Sequence, residues 1–546
     1  MSCSKILSGD LPELAYEIIK YFQDDFPTLY SCILVNRLWC RLTIPLLWQD
    51  PFSISTGNYK FIRIYLNNLK GDLKTKLNDY EIDKLLPLNN TLFNYPSFIK
   101  YLNTKEIITS IEKWFEISVG TLIKFKKRYF IKNAYLNLKT DFKRLIHMSL
   151  FKIFIENEVN IHTFEIEVTL NGYSSYFNDI FELILQNANF IHNIKYLKLY
   201  TGRTPSFLYF NETNEDKLSK DHILKLINLH QNLKKIVLDN KSFPLYQSLL
   251  SSSSKVSNFN CSNTLNTIIL YCINFQDIND LDNVFDQLNV LESIHLIYCY
   301  PLNNGFIQQI LNLTKPFKLK SLIINYRSQI DDSLHLLLQK FGDYLENFGY
   351  CNYDLLSKQK LLESIMKYCK NIKLLDLHEY EIQIIYPILN LIENINKNLN
   401  YLSINIFQSL ISNSNITEYI KYSSLILQNL GQILPFKLEY LSLILHIKEN
   451  NFEFFLKNSQ NTFIKKLLIN NKDGDDILPF IKEYIMKKKR VKYLSIKNSS
   501  YKYLLFNNED LFHLKSEVEE FNLYNIKVQN YDDSIIKVYN YLKKSD

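Results

Sequence analysis

Glycine is scarce: eleven residues spread along 546 give no cluster able to cradle a phosphate. No G-x-x-x-x-G-K-S/T, G-x-S-x-G or H-E-x-x-H run occurs either, so nucleotide binding is not expected and no cofactor is implied. The eight cysteines include no C-x-x-C pair and have no histidine cluster beside them, which argues against a structural zinc site and for reduced, buried thiols. Arginine supplies only eight of the 63 basic residues, and the formal net charge is +7. A nucleic-acid partner would call for more arginine, and clustered. No window approaches about 18 uninterrupted apolar residues, and no basic segment leads into a long apolar stretch near Met1. The expectation is an intracellular protein, cytoplasmic or nuclear, with no membrane partner. Alanine occurs three times while Lys, Asn, Ile, Tyr and Phe abound. AT-rich codons would produce that skew unaided, so the asparagine excess carries no functional weight.

Groups that could do chemistry are isolated. The ten histidines are scattered singly, and His147 on an apolar helical face reads as a core or boundary residue. Cys299 and His295 lie on one strand pattern with no third group to orient them, so no catalytic residue is assigned there. Lys487-Lys488-Lys489-Arg490 is the strongest basic run. It ends a helical stretch, where cations complement the C-terminal dipole, although the run also matches a nuclear localisation signal.

What is present starts at residue 11. Asp10, Leu11, Pro12 and Glu13 set an N-cap residue, a proline near the first helical position and a capping-box carboxylate in order, so a helix should begin there. Leu14, Ile18 and Tyr21, with Ile19 and Phe22 beside them, recur at helical spacing and make a stripe wider than one neighbouring helix can cover. Pro27 and Thr28 open a second helix carrying Leu29, Ile33, Leu34 and Val35, and a short third runs from Arg41 through Pro45 to Trp48. The segment's apolar residues exceed what so small a unit buries alone, which implies a partner.

Residues 11–48 resemble an F-box, the three-helix module that docks on the small adaptor subunit of cullin-RING ubiquitin ligases. The resemblance rests on the Leu11-Pro12-Glu13 opening, the Ile18-Ile19 pair, the Val35-x-Arg37-x-Trp39 run and the closing Leu46-Leu47-Trp48. It implies adaptor contacts through Leu11, Pro12, Ile18, Leu29, Val35 and Trp39, with adaptor and cullin subunits as partners.

From residue 161 a pattern with apolar residues at positions 1, 4 and 6 returns thirteen times, from Ile161-Phe164-Ile166 to Val518-Phe521-Leu523. Eight of the twelve gaps between first residues fall between 26 and 28. That spacing lies in the range of leucine-rich repeats, which the chain resembles in their long, irregular, helix-containing form. Asparagine two places past the last apolar position, as at Asn240, Asn352, Asn471, Asn498 and Asn525, departs from the family's usual three, which Cys299 keeps. Helical stretches such as Phe306–Leu313, Ser333–Phe341, Gln359–Tyr368 and Leu425–Leu434 separate the strands.

The expected fold is therefore α/β: a three-helix N-terminal segment over 1–54, then an irregular solenoid over 151–546 with parallel inner strands and outer helices. Residues 55–150 read as degenerate leading repeats or a helical adapter, with strands suggested near Ile111-Trp114 and Ile131-Ala134-Leu136. In this register Tyr271, His295, Ile297, Asn325, Asp376 and His378 line an inner wall. Its apolar and aromatic middle with polar ends would suit a target protein, or its isoleucines merely fill a tight inner curve. The resemblance implies a substrate receptor that does no bond chemistry and brings an unidentified target to the ligase; a non-ligase scaffold is the alternative.

Overall fold

A computed structural model of the chain describes residues 11–23, 25–53, 59–67, 69–78, 91–119, 132–167, 174–192, 194–200, 214–229, 233–239, 263–276, 278, 281–286, 288–314, 317–325, 328, 332–351, 355–378, 382–406, 416–499, 509–538 and 541–542. Two compact units form: Met1–Ile268 with Gln287–Leu291, and Ile269–Asp286 with Glu292–Asp546. The division falls inside a strand of the repeat region. The fold is α/β, with strands that are mostly parallel and alternate with helices.

The first unit opens with three helices, α1 (Pro12–Lys20), α2 (Phe26–Cys32) and α3 (Arg37–Leu47). Proline at the start of α1 matches the sequence expectation, whereas the proposed cap Asp10 lies outside the described residues. The cap of α2 is Asp25, whose carboxylate accepts from Thr28 N at 3.3 Å. Asn36 caps α3 by accepting from Trp39 N at 2.8 Å, which starts that helix four residues earlier than Arg41. The ring of Trp48 then packs on Tyr95 and Tyr65, at centroid distances of 4.1 and 5.5 Å. Gln49 O accepts from Lys100 N and Tyr101 N at 2.9 and 3.1 Å, so the three helices join directly to the first strand.

That strand, β1 (Tyr101–Asn103), pairs in parallel with β2 (Thr163–Glu167), which pairs with β3 (Tyr196–Tyr200), which meets β4 (Lys235–Asp239). Phe164, Leu197 and Ile236 from this ladder enter the core. The strand suggested at Ile111-Trp114 is instead the end of a helix, Thr104–Trp114. Asn103 caps it, accepting from Lys105 N and Glu106 N at 2.9 and 3.1 Å, and Ile107, Ile111 and Trp114 then fall on one buried face. Ala134 and Leu136 also lie on a helix, Lys132–Glu156, while Ile131 is outside the described residues.

β5 (Thr267–Tyr271) contains the division between the units. The second unit continues with β6 (Ser293–Ile297), β7 (Lys318–Ile324), β8 (Asn347–Cys351), β9 (Leu374–His378), β10 (Tyr401–Asn405), β11 (Lys437–Leu445), β12 (Phe463–Lys472) and β13 (Val491–Ser499). Each pairs in parallel with the next, so Leu322, Phe348, Leu375, Leu402, Leu441, Leu467 and Leu494 stand in one row and are buried. This row is the fourth position of the sequence repeat. Two short strands finish the sheet, β14 (Glu509–Asp510), antiparallel to β13, and β15 (Lys527–Val528), parallel to it, and a helical turn, Tyr531–Ser534, follows.

The thirteenth repeat is a correction. Val518-Phe521-Leu523 lies on a helix, Lys515–Leu523, because positions 1 and 4 of the repeat are also an i, i+3 helical pair. Glu517 and Glu520 on that helix both pair with Lys482 at 2.7 Å. Another cation, Arg490, also ties neighbouring segments together. Arg490 is buried, and its guanidinium donates to the carbonyls of Leu456, Ser459 and Thr462 around the end of the helix Glu449–Asn458. The helix-terminus reading of the basic run therefore holds for Arg490, on the preceding helix rather than its own, while Lys487, Lys488 and Lys489 are exposed.

Candidate functional site

Two surfaces carry the residues singled out in the sequence, one in each unit. In the first, Ile19, Leu29, Cys32, Trp39, Leu46 and Leu47 form the core among α1, α2 and α3. Leu29 and Trp39 are 1% and 8% exposed, so their side chains are spent inside the protein, and as direct partner contacts they are corrected. The reason is register. Asn36 starts α3 early, which turns Trp39 inward onto Leu29 and Ile19.

Outside that core lies the surplus apolar surface. Helix α1 buries Ala15 and Ile19, leaving Leu14 at 39% and Tyr21 at 87% exposure on its other side, with Ile18 half-buried between them in the sequence. Tyr30 on α2 is 58% exposed, and Leu34 and Val35 in the following turn are 75% and 47% exposed. That turn is fixed by bonds from Leu34 N to Ser31 O and Val35 N to Cys32 O, at 3.1 and 3.3 Å. Leu11 and Pro12 are half-buried at the start of α1. Burying the exposed parts of these side chains would release roughly 5–10 kcal/mol before the costs of association. Leu34 was named only as an apolar residue of the second helix, and Tyr30 was not singled out by sequence. Asn36 was the available signal, since an N-cap there places the preceding pair in a turn where adjacent apolar residues cannot both face inward.

In the second unit the face of the sheet opposite the buried leucine row holds the other candidates. Ile297 is fully buried, and Ile269 and Ile323 are buried as well, so Ile297 is corrected as a partner contact. Space there is tight: a Cβ at Gly349 would stand 3.1 Å from Ile323 Cδ1 and 3.3 Å from the Asp376 carbonyl. The polar candidates are tied into strand-to-strand networks. His295 Nδ1 is 2.7 Å from Ser321 Oγ, which accepts from Asn347 Nδ2 at 2.9 Å. Asp376 is almost buried and lies 2.9 Å from His378 Nε2, whose Nδ1 meets Asn405 Nδ2 at 3.2 Å. If the amide of Asn405 donates, His378 is the neutral tautomer with its proton on Nε2, donated to Asp376. Tyr271 packs edge-on against Tyr298 at 6.0 Å, and Asn325 N donates to Ser328 Oγ at 3.1 Å.

Cys299 lies apart from this network. Its Sγ approaches the carbonyls of Leu270 and Ile297 at 3.4 and 3.6 Å, and burial pushes the thiol up to about 12. A thiolate is therefore scarce at neutral pH, and His295 bonds to Ser321 rather than to this sulfur. Asn471 has the corresponding task further on, accepting from Ile447 N at 3.1 Å and donating to Asp475 O at 2.8 Å.

Toward β10–β13 the inner face is covered by the chain itself. Tyr531 is buried against Tyr440 and Leu468, with Tyr401 and Ile536 at the margin. Ile536 N donates to Tyr440 Oη at 3.2 Å, Ser534 and Ser495 hydroxyls are 2.9 Å apart, and Lys497 pairs with Asp532 at 2.9 Å. Sequence reading missed this cover, since nothing in Asn530–Val538 repeats the strand pattern. Among the described residues, no helix is long and apolar enough to cross a membrane. No protein-family model matches the chain, and no curated protein matches it.

Proposed function

We propose that the chain is a substrate receptor of a cullin-RING ubiquitin ligase, with α1–α3 acting as an F-box and the strands of the second unit as leucine-rich repeats. The observation that carries this reading is the apolar surface left outside the α1–α3 core, at Leu14, Tyr21, Tyr30, Leu34 and Val35. Ile18, Leu11 and Pro12 extend it, while Leu29 and Trp39 hold the helices in place from within. The repeat reading is supported by strands in parallel register at the sequence period, and by Cys299 and Asn471 bonding backbone groups of neighbouring segments. On this reading the inner face of the second unit, with Tyr271, His295, Asn325, Asp376 and His378, receives a target protein. Ubiquitin transfer is then promoted by proximity, because tethering raises the effective concentration of the target beside the ubiquitin-carrying enzyme.

The test is affinity purification of the full chain from cells. The adaptor and cullin should come down with it and be lost from a Leu34→Asp, Val35→Asp double variant. A wild-type chain that never retains the adaptor contradicts the proposal. Retention of adaptor without cullin points to the scaffold alternative.

A further inference from the structure

The geometry points to the inner face of β10–β13 as a peptide-binding surface that the chain's own residues 529–538 occupy in competition with the target. This rests on the reading of the second unit as the target-binding part. After β15 the segment pairs with no further strand among the described residues, yet it stays on the sheet. Side chains and single bonds hold it: Gln529 N donates to Leu494 O at 2.9 Å, Tyr531 N to Asp510 Oδ2 at 2.8 Å and Ile536 N to Tyr440 Oη at 3.2 Å. Binding through a buried aromatic with a few directed polar bonds is how a protein surface holds a peptide ligand, and differs from a repeat stacking on its neighbour.

The fit also states the chemistry of the competitor. Tyr531 fills a seat beside Tyr440 and Leu468; Lys497, its side chain mostly covered, takes the carboxylate of Asp532, which remains largely exposed. Ile536 and Val538 border a small cleft of about 20 Å³, partly open to solvent, whose sheet side includes Leu374, Asp376, Tyr401 and Ser403. The partner is therefore a peptide with an aromatic residue, an acidic one directly after it, and aliphatic residues four and six places after the acidic one. A tethered segment competes at an effective concentration on the order of millimolar, so the intact chain should bind such a peptide weakly until the segment is released.

Two measurements on the full chain decide the matter. Native-state hydrogen exchange should show the amides of 531–538 opening with a free energy well below that of β12 and β13. Exchange of those amides only with global unfolding would make the segment a permanent part of the core and overturn the proposal. A fluorescent peptide of residues 527–538 is then titrated into wild type and into an Ile536→Asp, Val538→Asp variant whose fold is checked by circular dichroism. The variant should bind at least about tenfold more tightly, and adding Lys497→Glu should remove most of that gain. Equal binding by both, or none by a folded variant, overturns the proposal. Adaptor capture is read on the same samples: its loss would count against the proposed function and leave the peptide result to stand alone.

Discussion

Leu34 and Leu29 are five residues apart, both apolar, and predicted to fail in opposite ways. Leu29 is 1% exposed within the α1–α3 core, so Leu29→Ala leaves a cavity and should destabilise the first unit by about 2–5 kcal/mol. Leu34 is 75% exposed, so Leu34→Ala should change stability by less than about 0.5 kcal/mol. At an interface the order reverses. Complete burial of the exposed three-quarters of Leu34 is worth about 1–2 kcal/mol, which corresponds to roughly a 5- to 30-fold loss of adaptor affinity on truncation. The assay is isothermal titration of the purified adaptor into each variant, with thermal unfolding of the same preparations. Unchanged affinity in Leu34→Ala would refute the reasoning, as would a Leu29→Ala protein that keeps its stability and loses only binding.

His147, buried against Phe151 with its ring held neutral, has its pKa lowered to about 3 by desolvation. The unfolded chain takes up that proton near its ordinary pKa of about 6.5 and the folded one does not, so stability should fall below that pH, by about 2 kcal/mol at pH 5. Denaturant melts of His147→Leu should be flatter between pH 6.5 and 5 than those of wild type; equal slopes would contradict the assignment. Gly349→Ala pushes a methyl into Ile323 and the Asp376 carbonyl and should cost about 1–3 kcal/mol in the second unit, measured by chemical denaturation. Arg490→Gln should destabilise the same unit by about 2–4 kcal/mol, because it strips the donors shared by Leu456, Ser459 and Thr462. Lys487→Gln with Lys489→Gln should be nearly silent in the same melts.

Much of the strand order was legible because the repeat encodes depth. A residue buried on one side of a sheet must be apolar at a fixed offset, and twelve of the thirteen triads end in a strand, from Ile166 to Ile496. The thirteenth failed where the same three positions also suit a helix and Glu517, Glu519 and Glu520 favour one. β1 was hidden for the opposite reason: a three-residue strand carries too little pattern to stand out from Ile107, Ile111 and Trp114 beside it. At the candidate sites, sequence placed the surplus apolar surface in the right helices and on most of the right side chains, Leu29 and Trp39 being the two that turn inward. Periodicity names a stripe, whereas which edge of it faces inward depends on the caps at Asp25 and Asn36. His295 shares its repeat position with Ile269 and Ile323, and His378 shares one with Ile297, so the repeat alone does not say that Ile297 is enclosed while His295 reaches Ser321. The cover from Tyr531 to Val538 is a long-range contact, for which local pattern holds no signal.

The central claim is that apolar side chains left outside the α1–α3 core are held for an adaptor. Hydrogen exchange of the purified full chain with and without the adaptor tests it most directly. Protection should rise at amides of α1 and of the turn at Leu34 and Val35, and stay unchanged across β6–β13. Unaltered exchange in α1 and that turn at saturating adaptor would contradict the claim.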